Sequence, residues 1–283
     1  MGTILITGAG GLIGTSLSRT MATKHDILGL DFRKPEGLDI PFAVGRIGSS
    51  EDLQQLDQYD IDVVIHLAAM KSQAPEPDIF LVNVEGTRCL LRYLIDRGCR
   101  KFVLASSIAA VGVRSLKFRP MQLPIPEEHA CVASDAYGFS KYMMEELTRY
   151  FARQNEDLDF INIRLGVVVD DSEVLDPERV GPLTEWAAAR VSKIFVSDVI
   201  RAFTLAAVVP RKSGVRVMNA VGGQACVQDP VPDIIRAWYP KIVGQIDLSH
   251  YMRPGHERDP LFDITKIKEE IGFVPDRQYI QPK

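Results

Sequence analysis

Tyr137, Lys141 and Ser107 have the types and spacing to move a proton at a carbinol. Tyr137 and Lys141 stand four apart near the start of a long predicted helix, Ser134–Arg153, so they share one helix face. A phenol ionises at about 10. A nearby ammonium lowers that value, making the phenolate available as a base. Ser107 lies at the end of the fifth apolar strand. Its hydroxyl can hold a substrate alcohol or carbonyl beside the tyrosine. A lone Tyr–Lys pair at this spacing is ordinary on a helix surface, so its meaning depends on what else the chain carries.

The run Thr7-Gly8-Ala9-Gly10-Gly11-Leu12-Ile13-Gly14 sits between a predicted strand and a predicted helix. A tight turn there lets backbone N–H groups and a helix N-terminus meet a pyrophosphate. Gly8, Gly11 and Gly14 leave no side chain where a dinucleotide, and then the strand, must come close. Asp31 ends the second strand, 17 residues after Gly14. A carboxylate there accepts hydrogen bonds from ribose hydroxyls and repels a 2′-phosphate, favouring NAD over NADP. Arg33 could stack on adenine or meet a phosphate.

The elements that would position these residues alternate. Short apolar runs at Thr3–Thr7, Ile27–Leu30, Phe42–Val44, Asp62–Leu67, Lys101–Ala105 and Phe160–Val169 read as strands. Helical patterns cover Leu12–Ala22, Ser50–Leu56, Val82–Arg97 (stopped by Gly98) and Ser134–Arg153. Continuous apolar strands alternating with helices predict an α/β fold, a Rossmann-type doubly wound parallel sheet. After Asp170 the pattern changes. Asp170–Gly181 is acidic and turn-rich, and helices are expected at Leu183–Val191, Asp198–Val208, among Pro230, Pro232 and Pro240, and at Ile264–Ile271 before Gly272. Val215–Val221 reads as a strand. The expected division is a dinucleotide-binding domain over 1–169 and a small C-terminal substrate-binding lobe over 170–283, with about 198–221 returning to the first domain.

Composition excludes several classes. With 283 residues, 46% hydrophobic and 25% charged, the chain is neither disordered nor fibrous. A net charge of −4 without a basic block argues against a nucleic-acid partner. No apolar run reaches the roughly 18–20 residues of a membrane span. The N-terminus, Met1-Gly2-Thr3-Ile4, runs straight into a strand pattern without a basic region, so no signal peptide is expected. Cys89, Cys99, Cys131 and Cys226 form no CxxC pair and read as free thiols in a reducing, cytoplasmic compartment. No His/Cys/Asp/Glu group has metal-ligand spacing, so no metal is expected.

In order along the chain stand Thr7–Gly14, Asp31, His66-Leu67-Ala68-Ala69, Asn83-Val84-Glu85-Gly86-Thr87, Ser106-Ser107 and Tyr137…Lys141. The set resembles extended short-chain dehydrogenases/reductases of the NAD-dependent epimerase/dehydratase group. The resemblance covers about Thr3 to Val168. It resumes at Phe195-Val196-Ser197-Asp198-Val199 and at Phe262–Lys266 through Gly272-Phe273-Val274-Pro275.

The resemblance implies roles. Tyr137 would be the acid/base, Lys141 would bind the nicotinamide ribose and lower the tyrosine's pKa, and Ser107 would match the catalytic Ser/Thr. NAD would be held by Gly8, Gly11 and Gly14 with Leu12 and Ile13. Asp31, Phe32, Arg33, Ile47, Leu67, Ala68, Ala69, Lys71 and Asn83 would add contacts. Lys71, Ser72, Ser107, Ile108 and Arg164 are the expected substrate contacts, Arg164 because a strand-end guanidinium can face a phosphate or carboxylate.

Departures narrow the chemistry. Gly45-Arg46-Ile47 lacks the family's frequent Asp near adenine. Ile108-Ala109-Ala110 follows Ser107 without the acidic pair of the dehydratases, which disfavours dehydration. No Cys matches the GDP-fucose synthase type. Arg164–Val169 departs from the usual Arg-x-x-Asn-Val-Tyr-Gly-Pro, and the lobe segment before Phe195 is short. Two readings follow. One is an epimerase of a sugar or nucleotide-sugar, which oxidises a carbinol to a ketone and returns the hydride. The other is a dehydrogenase of a small hydroxyl substrate, similar to uronate or threonine dehydrogenases, which releases NADH. The family's helix seam implies a homodimer, with Leu90, Leu91, Leu94, Met143 and Leu147 available to it. His66 and Trp186 read as packed residues. Arg179, Arg190, Arg253 and His256 are candidate anion contacts whose default is an exposed ion pair.

Overall fold

Along β1 (Thr3–Thr7), Ile4 and Ile6 pack into one apolar layer and Leu5 into another, all fully buried. A strand buried on both faces needs helices on both, the usual setting of a parallel sheet. The computed structural model describes residues 2–120, 122–277 and 279. Met1 and the expected lobe's last residues, 280–283, lie outside that range.

After β1 come α1 (Leu12–Met21), β2 (Ile27–Asp31), β3 (Phe42–Val44), α2 (Ser50–Leu53), β4 (Ile61–His66), α3 (Glu76–Phe80), α4 (Thr87–Asp96) and β5 (Lys101–Ser107). Next are α5 (Ala136–Gln154), β6 (Asp159–Leu165), β7 (Val167–Val169), α6 (Ala187–Arg190), β8 (Lys193–Phe195), α7 (Val196–Val208), β9 (Gly214–Ala220), α8 (Val231–Trp238) and α9 (Thr265–Ile271). Seven strands form one sheet in the order β3-β2-β1-β4-β5-β6-β9. Every pair in it is parallel. The strand order reverses between β1 and β4, the switch point where such sheets open a ligand crevice at their C-terminal ends.

One face of the sheet is covered by α1, α7 and α9, through residues such as Leu17, Phe203 and Ile267. The other is covered by α2, α4 and α5, through Leu53, Leu90, Leu94, Met144 and Phe151. A third apolar core forms the lobe. It gathers Ala187–Ala189, Ile234, Trp238, Tyr251 and Phe262, together with Ile108, Val113, Phe118 and Ile125 from the segment after β5.

Some elements differ from the sequence pattern. The expected strand Phe160–Val169 breaks at Gly166, where a Cβ would lie 2.3 Å from the Ser192 carbonyl oxygen. Beyond it β7 leaves the main sheet and pairs with β8. The expected helix Val82–Arg97 starts earlier, at Glu76, and passes through a π-helical stretch at Leu81–Gly86. Leu183–Val191 is helical only over Ala187–Arg190.

His66, at the tip of β4, is fully buried and links three elements. Its Nδ1 meets Thr7 Oγ1 at 2.7 Å and its Nε2 meets Thr87 Oγ1 at 2.9 Å. Thr87 Oγ1 donates to the Asn83 carbonyl, so its oxygen accepts from His66 Nε2–H, and Nδ1 accepts from Thr7. A neutral ring satisfies every partner. Burial, helped by the charge of Lys141, pushes the His66 pKa down to about 3. The unfolded chain protonates this ring near 6.5. The stability it confers is therefore complete above that value and drains as pH falls towards 3. The melting temperature should decline from pH 7 to pH 4.5, and His66→Gln should flatten the decline. Equal slopes by circular dichroism would refute the assignment.

Candidate active site

The first βα turn is shaped for close approach. Gly8 has φ +70°, and a Cβ on it would lie 2.7 Å from the Ala68 backbone nitrogen. A Cβ on Gly14 would lie 2.1 Å from the Gly8 carbonyl oxygen. Only glycine lets the turn, α1 and the loop after β4 meet at this point. Gly11 caps α1 without any side-chain hydrogen bond, leaving the first N–H groups of the helix to a ligand. Asp31 stands at the tip of β2. Its Oδ2 accepts the Gly10 N–H at 2.9 Å and its Oδ1 the Phe32 N–H at 2.7 Å. Leu12, Phe32 and Arg33 are exposed along the same rim, and Ile13, Leu67, Ala68 and Ala69 are half-buried. The cradle and the carboxylate beside it fit the pyrophosphate and ribose of a dinucleotide.

On the other side of the switch point, α5 meets the sheet through a polar seam. Its members recur at helical spacing: Tyr137, Lys141, Glu145 and Thr148. The Ser107 hydroxyl lies by the Tyr137 phenol and pulls its pKa down, and Ser107 Oγ accepts the Ala109 N–H at 3.1 Å. Lys141 Nζ, fully buried, donates to the Ala105 carbonyl at 2.8 Å. Glu145 accepts from Ser106 Oγ at 2.7 Å and is bound twice by Arg164, through Nε and Nη2 at 2.8 Å each. Thr148 Oγ1 accepts from Asn162 Nδ2 at 2.9 Å. Asp135 caps the helix, accepting the Gly138 N–H at 3.0 Å. A Cβ on Gly138 would lie 2.5 Å from the Ala109 carbonyl oxygen, so the helix start lies hard against the turn that carries Ser107.

The electrostatics differ from the simple expectation that Lys141 lowers the tyrosine. Burial dominates and raises the Tyr137 pKa, while the Ser107 hydrogen bond and the charge of Arg114 pull it back. Burial also pushes Lys141 down to about 8. Both groups resist carrying charge in this dry corner, so added positive charge beside the phenol favours its ionisation.

Several expected contacts lie elsewhere. Arg164 does not face a ligand: it is 2% exposed and saturated by Glu145, the Glu127 carbonyl and Cys131. Asn83 is fully buried. Its Oδ1 accepts the Met70 N–H, and its Nδ2 donates to the Met70 carbonyl and to Ser140. It therefore clamps the loop after β4 to α5 rather than presenting donors to a cofactor. Ile47 is buried against Gly86, and Ile108 belongs to the lobe core. In each case the apolar or paired environment outcompetes exposure at the crevice. Lys71 is exposed and Ser72 half-buried in the turn after β4. Leu90, Leu91 and Leu94 face the sheet, so they are absent from any helix seam on the outer surface.

In the lobe, Arg190 pairs with Glu178 at 2.7 Å, and Arg179 is exposed. His250 and His256 both meet Asp259 Oδ2, at 2.7 and 2.8 Å. The fold thus assembles a three-residue group that the sequence spacing did not reveal. Arg253 Nη2, 2.8 Å from His250 Nδ1, places a cation at its edge. Trp186 is not packed away but 37% exposed. Sequence reasoning missed Arg114, Asp135 and Glu145. The helix-cap position of Asp135 and the continued four-residue spacing of Glu145 were available signals; Arg114 had none.

Residues 4–221 match the family model described as the NAD dependent epimerase/dehydratase family. The chain belongs to that family. Among curated relatives, the NAD-dependent glucose-6-phosphate dehydrogenase of Haloferax volcanii is 28% identical over 181 residues, 58% of this chain and 67% of that one. The UDP-glucose 4-epimerase of Vibrio cholerae is 31% identical over 176 residues, 58% of this chain and 51% of that one. The match thus spans between half and two thirds of these relatives' lengths. The crystal structure of UDP-glucose 4-epimerase from Bifidobacterium longum, in complex with NAD+ and UDP, shares the fold. Its TM-score is 0.73 at 20% identity, over 98% of this chain and 94% of that one. No helix among the described residues is long and apolar enough to cross a membrane.

The Glu145–Arg164 pair makes a stability prediction for this epimerase/dehydratase-family chain. Arg164→Met leaves Glu145 buried without its cation, which typically costs about 3–5 kcal/mol. Urea denaturation should show a loss of that order, and a loss below about 1 kcal/mol would contradict it.

Proposed function

We propose that this protein uses NAD to oxidise a sugar carbinol reversibly, and that it completes the reaction as an epimerisation of a sugar or nucleotide-sugar. The observation that carries the reading is the convergence of Ser107, Tyr137 and Lys141 at the crevice beside the Gly8–Gly14 cradle. When bound, NAD supplies the hydride acceptor and donor. Gly8, Gly11 and Gly14 would hold its pyrophosphate and Asp31 its adenosine ribose. Ser107 Oγ holds the substrate oxygen against Tyr137 Oη. The phenolate takes the hydroxyl proton as the carbinol is oxidised, and returns it when the carbonyl is reduced. Lys141 sets the charge behind the phenol. The turn after Ser107, Ile108-Ala109-Ala110, brings no carboxylate to expel water, which supports redox chemistry without dehydration.

A dehydrogenase that releases NADH is the second reading. It is favoured by the compact lobe, in which the stretch between β7 and α6 contains no helix or strand. Denaturing the dialysed protein and quantifying nicotinamide by mass spectrometry separates the two. About one NAD per chain supports the epimerase. An empty protein that binds added NAD and forms NADH with a sugar supports the dehydrogenase, and failure to bind NAD overturns both. Tyr137→Phe should lower turnover about a hundredfold or more while leaving NAD binding intact; near-normal turnover would remove Tyr137 from its role.

We also propose a homodimer through α4 and α5. Leu81, in the π-helical stretch that leads into α4, and Phe139 on α5 are 64% and 42% exposed, and the Phe80 and Phe139 rings pack edge to face. Light scattering should give twice the chain mass, and Phe139→Asp should shift it towards the monomer. A monomeric parent protein would refute the interface.

A further inference from the structure

Arg114 stands seven residues beyond Ser107, after a turn closed by Gly112 in the left-handed region, φ 99°. Its guanidinium lies on the Trp186 indole, with Cζ 3.5 Å from the ring centroid, and 5.7 Å from the centroid of Tyr137. Nη1 donates to Asp135 Oδ1 at 2.6 Å. That same carboxylate oxygen also caps α5, so its charge is shared with the helix that carries Tyr137. Nε is buried without a partner, and Nη2 makes no hydrogen bond among the described residues. The side chain is only 12% exposed. An arginine held this dry normally has its donors filled.

Trp186 adds an independent observation. It is the only non-glycine residue at positive φ among those described, at 66°. Such a backbone is strained for a residue with a side chain and persists where surrounding structure enforces it. Here it carries the indole from the lobe onto the guanidinium. The two rings and Asp135 fix the plane of the cation beside the phenol and leave its Nη2 edge open. Charges at this spot are Arg114 and Lys141 against Asp135, a positive balance. A flat guanidinium with a free edge is suited to an oxyanion.

We infer that Arg114, clamped by Trp186 and Asp135, anchors a carboxylate or phosphate carried by the sugar that reacts at Tyr137. The inference rests on the sugar-oxidising reading and adds a substrate class to it: anionic sugars, either sugar acids or sugar phosphates.

Trp186 also provides the readout. It is one of two tryptophans, and the other, Trp238, is buried. The intact protein is titrated with D-glucuronate, D-glucose 6-phosphate and uncharged D-glucose, following tryptophan fluorescence and, in parallel, calorimetry. One of the two anions should bind saturably and perturb the emission, and which one does so tells the carboxylate from the phosphate source. Glucose should bind far more weakly. Arg114→Gln should weaken the anion by about tenfold to a hundredfold with little effect on glucose. Arg114→Lys should restore part of the loss. Trp186→Phe should abolish the fluorescence change while calorimetry still detects binding.

A loss of affinity in Arg114→Gln that is equal for anion and glucose would reduce Arg114 to a strut for Asp135 and overturn the inference. So would unchanged anion affinity in that variant, or no anion binding by the parent protein. NAD-linked turnover of UDP-glucose that Arg114→Gln leaves intact would also overturn it, yet leave the sugar-oxidising reading standing. Melting temperatures of the two arginine variants separate loss of contact from loss of fold.

Discussion

The seating of α5 against β5 and β6 is the constraint on which the rest of the site depends. A helix lying on a parallel sheet can normally rotate and slide over apolar side chains at modest energetic cost. Here the contact is polar and directional. Lys141 meets the Ala105 carbonyl, Glu145 meets Ser106 and Arg164, and Thr148 meets Asn162. Each bond is made in a buried setting, where an unmade partner is expensive. The helix therefore has one rotation and one height at which all are satisfied, and those settings place the phenol at the crevice.

The same logic holds the opposite wall. The neutral imidazole of His66 joins the tips of β1 and β4 to α4, and Asn83 ties the following loop to Ser140 on α5. The π-helical stretch Leu81–Gly86 contains Asn83 and meets Ile47 at Gly86. The glycine turn then closes onto Ala68. Two rigid walls thus face one another across the switch point, each set by buried hydrogen bonds rather than by apolar packing alone. Burial has an electrostatic consequence. His66 and Lys141 are both driven towards their neutral forms and the Tyr137 phenol is held protonated, so a small number of nearby charges governs the site.

Much of the first half was legible in the chain because its signals are local. The Gly8–Gly14 turn has fixed offsets, β1 to β6 are short apolar runs of distinct length, and Tyr137–Lys141 repeats at helical spacing. The lobe was less legible. Its core is assembled from residues far apart in the chain, such as Ile108, Phe118, Ala188, Ile234 and Phe262, and no local period announces that they meet. The break of the expected strand at Gly166 depends on the Ser192 carbonyl, which lies far along the chain. Arg164 looked like a ligand contact because strand ends face the crevice. It became an interior cation because Glu145 lies within reach from α5.

The sequence by itself determined the strand–helix alternation, the dinucleotide turn, the Asp31 position and the helical face shared by Tyr137 and Lys141. These follow from backbone periodicity and from residues a few positions apart. Only the tertiary structure decided which buried polar groups pair. It assigned Arg164 to Glu145, Asn83 to Met70 and Ser140, and Arg114 to Asp135 and Trp186. Such choices depend on distance and desolvation between segments remote in the chain, where the cost of leaving a polar group unpaired selects the partner.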